Sequence, residues 1–102
     1  MTIDEFDTFY MTMTEEEREL LRKKGQEYSG KENRFCNFQS IGIELNLDPK
    51  KILWVYLHKH LDGIRTYIKG EYTGIESIRG RIEDARNYLA LLAGMIEEEN
   101  HG

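Results

Sequence analysis

The sequence predicts an all-α fold: one compact bundle of about four helices spanning 1–102, with the final pair antiparallel. Three observations carry this. Over residues 75–96, apolar side chains fall at Ile75, Ile78, Ile82, Ala85, Leu89, Leu92, Ala93 and Ile96, the i, i+3, i+4, i+7 recurrence of an amphipathic helix. Over 49–69 a second series runs through Leu53, Trp54, Leu57, Leu61, Ile64 and Ile68. Only the short stretch 71–74 joins the two, so the rods must return alongside one another in opposite senses.

The earlier elements follow from local signals. Residues 1–13 show no sustained period and are expected as a short helix or ordered arm, with Phe6, Phe9, Tyr10 and Met13 packing back on the body. Thr14-Glu15-Glu16-Glu17 reads as a capping box, in which the Thr14 hydroxyl accepts from the Glu17 amide while Glu17 reaches back. A helix is therefore predicted over 14–26. Its acidic start and its basic end, Arg22-Lys23-Lys24, both suit the helix dipole, and Gly25 loosens or ends it. Turn formers and both signs of charge make 28–34 the most loop-like stretch. Phe35, Phe38, Ile41, Gly42 and Leu45 then recur at helical spacing, with Asn33 as N-cap and Asn46-Leu47 as the end. Asp48-Pro49 opens the third long helix as N-cap and first-turn proline, and Gly70 stops it. Gly80 and Gly94 should each cost about 1 kcal/mol relative to alanine inside the last helix, a cost that close contact with another backbone would offset. Residues 97–102 are expected to fray.

Composition narrows the function classes. The chain has 102 residues, 11% of them aromatic and 32% charged. No apolar run approaches the roughly 20 residues needed to cross a bilayer, and the first residues are acidic where a signal peptide would be basic, so a soluble, cytoplasmic protein is expected. A formal charge of −5 repels phosphate backbones and argues against a duplex nucleic-acid binder. The single Cys36 has no partner for an internal disulfide and, between Phe35 and Phe38, reads as an inert packing residue. A chain this short gains from shared burial, so a homo-oligomer is expected.

Three constellations could carry chemistry. On the last helix Ser77, Arg81, Asp84 and Tyr88 are spaced by four, three and four residues and share an edge. With Asn87, with Lys59 and His60 across the helix pair, and with Glu76 near the helix start, they offer the forked donors and mixed amide groups that read a nucleotide. On spacing alone the same residues also read as an intrahelical Arg81–Asp84 pair with Tyr88 packed beside it. The second group lies at the loop and helix start, where Tyr28, Phe35 and Phe38 supply rings and Lys31, Asn33, Arg34 and Asn37 supply polar contacts to a base or phosphate. Phe38 is also spaced as a core residue. The third is the EExxE pattern of Glu15, Glu16 and Glu19, able to share a magnesium ion, although an acidic helix start has dipole reasons of its own. His58 and His60, two apart on a helix, point to different faces and do not chelate. No Ser–His–Asp order, phosphate loop or CxxC motif is present, and no catalytic residues are assigned.

The set Tyr28, Phe35-Cys36-Asn37-Phe38, Lys59-His60, Glu76, Gly80-Arg81-Ile82, Asp84 and Asn87-Tyr88 resembles a group of small helical bacteriophage proteins related to the nucleotide-modification-associated, MazG-like proteins. The resemblance covers about residues 20 to 97. It implies an all-α fold, self-association and a link to nucleotides, and it raises the pocket reading for Asn37, Lys59, His60, Arg81, Asp84 and Asn87. MazG-like enzymes pair EExxE with a later ExxD to hold magnesium, whereas here Glu83 is followed directly by Asp84. The leading expectation is thus a non-enzymatic phage protein that binds a small nucleotide, such as a cyclic immune signal of the infected host, without cofactor or metal. The alternatives are a magnesium-dependent pyrophosphohydrolase using Glu15, Glu16, Glu19 and Asp84, and a helical inhibitor that docks on a host protein.

Overall fold

The computed structural model describes residues 1–28 and 33–101. Among the described residues there are four α-helices and no strand: α1 Ile3–Tyr28, α2 Cys36–Leu45, α3 Pro49–Ile68 and α4 Ile78–His101. They fall into two compact units, Met1–Arg34 and Phe35–Gly102.

In the first unit α1 is continuous from Ile3, eleven residues before the expected start (14 − 3). The reason is a second capping box upstream: the Glu5 amide donates to the Thr2 hydroxyl at 3.1 Å and the Thr2 amide donates to the Glu5 carboxylate at 3.4 Å. Thr14 lies in the helix interior, its hydroxyl donating back to the carbonyls of Tyr10 and Met11, a bonding mode open to threonine without breaking a helix. The Phe6 ring lies 6.1 Å from that of Phe9 at i+3 and 6.4 Å from that of Tyr10 at i+4. Gly25 does not end the helix either. It makes room for the Arg34 side chain, whose Nε lies 2.8 Å from where a β-carbon would stand.

The second unit is built from α2, α3 and α4, and its helix ends are closed by local chemistry. Phe35, not Asn33, occupies the N-cap of α2, with no side-chain cap bond. Asn46 takes a left-handed conformation (φ 55°) after α2; the Leu47 amide then donates to the Gly42 carbonyl at 2.9 Å and the Asn46 amide to Ile43, the paired bonds of a Schellman ending. Asp48 caps α3 as predicted, accepting from the Lys50 amide at 2.9 Å, with Pro49 in the first turn. The same ending recurs after α3. Gly70 has φ 77°, open to glycine without steric cost, and the amides of Gly70 and Glu71 donate to the carbonyls of Tyr67 and Thr66. Ser77 opens α4, its hydroxyl accepting from the Gly80 amide at 3.0 Å. That cap starts α4 three residues later than expected (78 − 75) and leaves Ile75 fully exposed outside the helix. At the other end α4 continues to His101 instead of fraying at 97, and Lys50 of α3 bridges Asp48 and Glu99 there.

α3 and α4 are antiparallel: Lys50 at the start of α3 meets Glu99 late in α4, while His60 and Gly63 further along α3 meet Asp84 and Arg81 early in α4. The core holds Phe38 of α2, Ile52, Leu53 and Leu57 of α3, and Ala85, Leu91 and Met95 of α4. Each helix buries part of the expected stripe, Leu53 and Leu57 on α3 and Ala85 on α4, together with residues outside it. On α3, Ile52, Leu53, Leu57 and His60 are buried, whereas Trp54 and Ile68 are exposed. On α4, Leu89 and Ile96 are exposed, and Leu91 and Met95 are buried. The stripe read as a polar edge, Arg81–Asp84–Tyr88, continues at helical spacing into Leu91 and Met95. Polar and apolar residues therefore divide one packed face between its two ends. Gly80 contributes its cap amide and has only Ser77 near its missing β-carbon, while Gly94 lies under the Phe35 ring; neither brings two helix backbones together. No helix among the described residues is long and apolar enough to cross a membrane.

Candidate functional site

Gly63 is where the site begins. A β-carbon there would stand 3.2 Å from Nε and 3.3 Å from Cδ of Arg81, so its absence lets the arginine stem lie across α3. The stem is thereby fixed while the guanidinium is loosely held. Nε lies 3.4 Å from the Tyr72 hydroxyl and 3.4 Å from the Glu76 carboxylate, and one terminal nitrogen lies 3.4 Å from His60 Nδ1. All three contacts sit beyond the usual 2.7–3.2 Å range, roughly, of an N–H donor. Tyr72 is itself anchored, its hydroxyl donating to the Glu76 carbonyl at 2.6 Å.

His60 is buried on the packed face of α3. Its ring stacks on Tyr88 of α4, centroids 5.6 Å apart and planes 27° from parallel, a contact worth about 0.5–1.5 kcal/mol beyond area burial for aromatic pairs. Tyr88 in turn meets Phe38 edge-on at 6.4 Å and Tyr56 at 6.4 Å. A guanidinium can only donate, so its contact with Nδ1 suits the His60 tautomer that carries its proton on Nε2. Asp84 Oδ2 is 3.8 Å from that Nδ1, too far for a hydrogen bond and near enough to attract a protonated ring. Burial holds the Tyr88 phenol above its ordinary pKa, helped by the Asp84 and Tyr56 charges, so it stays a hydrogen-bond donor at neutral pH.

His60 titrates below its ordinary 6.5, chiefly because burial disfavours the imidazolium; Arg81 and Lys59 add to that, while Asp84 and Glu76 oppose it. The unfolded chain takes up this proton as pH falls through 6.5, and the folded protein does so only at lower pH. In that window the unfolded state holds more protons, so this group's contribution to stability declines with acidification. Thermal melts of chelator-treated protein stepped from about pH 7.5 to 5.5 should show a falling midpoint below about 6.5, and His60→Gln should flatten that slope. An unchanged slope in the variant would assign the loss to other groups.

The other expected residues are distributed as follows. Lys59 is exposed beside His60, and Asn37 is half-buried in the first turn of α2. Asn87 is buried, and its side-chain nitrogen has no hydrogen-bond partner among the described residues. Phe35 belongs to the opposite end of the helix pair, where a cleft of about 300 Å³ is lined by Phe35, Pro49 and Met95 together with Asp48, Glu98 and Glu99. That acidic lining opposes a phosphate. Arg34 lies in the first unit beside Gly25, while the Tyr28 side chain and Lys31 fall outside the described residues. Glu15, Glu16 and Glu19 are exposed in the middle of α1, not in its first turn. The three-residue group of potential metal ligands among the described residues is instead His60, Glu76 and Asp84, their ligand atoms all within 4.8 Å of one another. Tyr72 and Gly63 were not foreseen; a glycine inside the 49–69 helical pattern, three residues after His60, was the available signal. Compared with protein-family models, curated proteins and solved structures, the chain matches none.

Proposed function

We propose that this chain is a small, non-enzymatic binding protein for a phosphate-bearing nucleotide, taken up where α3 crosses α4. The observation that carries the reading is Arg81: a fork whose stem is fixed against Gly63 and whose three polar contacts all stand at 3.4 Å. A phosphate oxygen can approach such a fork to about 2.7–2.9 Å and take two bonds at once. Glu76, half exposed, competes only as a solvated carboxylate. Lys59 adds a second positive charge one residue from His60. Tyr56 is the exposed member of the Phe38–Tyr56–Tyr88–His60 ring group and offers a face for a base to stack on. Asp84 can accept from an amino group on a base edge. Binding, and not turnover, is what these groups perform unaided.

Calorimetry against mono-, di- and cyclic nucleotides in the presence of chelator tests this. One class should bind in the micromolar range, and Arg81→Ala should weaken it by about ten- to a hundredfold, as expected for lost hydrogen bonds to a charged group. Arg81→Lys, which keeps the charge and loses the fork, should not restore it. Absence of heat with every nucleotide at micromolar concentration rejects the reading.

A further inference from the structure

We propose that His60, Glu76 and Asp84 form a site for one first-row divalent metal ion, of the zinc or manganese class. The three come from α3, from the connection before α4, and from α4, so their convergence is tertiary and not the by-product of an acidic run on one helix. Their ligand atoms lie within 4.8 Å of one another, with His60 Nδ1 and Asp84 Oδ2 at 3.8 Å. Two ligands each about 2.1 Å from one ion stand roughly 3–3.5 Å apart. Closure therefore requires a short inward movement, which falls mainly to Glu76, the half-exposed member.

The histidine is prepared for the role. Stacking on Tyr88 sets its ring orientation, and Nδ1 is turned towards Asp84 at 3.8 Å and towards the Arg81 guanidinium at 3.4 Å. That donor is the second argument. The Arg81 guanidinium already places a cation among these atoms, at contacts of 3.4 Å, so the cradle selects positive charge and fits the present occupant loosely. A metal ion would bond the same atoms at about 2.0–2.2 Å and displace the guanidinium, leaving the fork to other anions. One imidazole nitrogen with two carboxylate oxygens favours zinc or manganese over magnesium or calcium, which prefer oxygen alone.

The test uses metal alone, so its outcome is independent of the nucleotide reading. Chelator-treated full chain is titrated with zinc and, separately, with manganese, following bound ion and melting temperature. One equivalent should bind and raise the melting temperature. Glu76→Gln, at a half-exposed side chain, should leave the metal-free melting temperature unchanged and weaken binding by about tenfold or more. Arg81→Gln, which removes the competing cation, should tighten it. His58→Gln and His101→Gln should change nothing. No binding by the natural chain, binding that Glu76→Gln leaves intact, or an Arg81→Gln change that fails to tighten it would each overturn the assignment.

Discussion

Leu57→Ala should cost the second unit about 2–5 kcal/mol, the range for deleting a fully buried leucine from a well-packed core. Leu57 has no exposed surface and lies mid-way along α3, a helix packed on both α2 and α4. The cavity would open where neither neighbour can easily close it, since α3 is held at both ends by caps and α4 is tied to it through Lys50–Glu99 and Arg81–His60. Against a typical total of about 5–15 kcal/mol, that loss shifts the denaturant midpoint of the helical signal by a large fraction of its value. Trp54→Ala is the informative comparison. Its side chain is larger, and its spacing places it in the expected core series, yet it is 53% exposed, so its loss should cost far less than that of Leu57. Equal losses for the two variants would mean that the buried face of α3 is misassigned.

That comparison also marks where sequence reasoning stops. The Asp48-Pro49 start and the Gly70 stop were legible because capping is decided within a few residues. The start of α1 was not, because Thr2-x-x-Glu5 and Thr14-x-x-Glu17 present the same motif and only continuity of the backbone chooses between them. The buried faces of α3 and α4 were legible only in part, at Leu53, Leu57 and Ala85, for a different reason. Apolar periodicity counts Arg81, Asp84, Tyr88 and His60 as surface, but these groups partner one another across the helix pair, which buries His60 and half-buries the other three. The pairing of His60 with Arg81 and Asp84 was legible as a juxtaposition of two helix edges. The closing of that group by Tyr72 and Glu76 was less so, because it depends on the path of the 71–77 connection, where no periodic signal exists.

Asn87→Leu should stabilise the protein by about 1–3 kcal/mol, the usual cost of a buried polar group without a partner. Asn87 is 8% exposed, follows Asp84 by three residues on α4 and precedes the buried Leu91 by four; among the described residues its side-chain nitrogen has no partner. Leucine is of similar length, removes two donors and extends the apolar half of the packed face towards the polar half. Denaturant unfolding of the two proteins measures the change, and a loss of stability would show that the amide is satisfied in solution. Nucleotide affinity measured on the same variant then separates two roles. A stabilised variant that no longer binds would mean that the amide is kept at a cost in stability because it contacts the ligand, whereas a stabilised variant with unchanged affinity would confine the binding groups to Arg81, Asp84, His60, Lys59 and their aromatic neighbours.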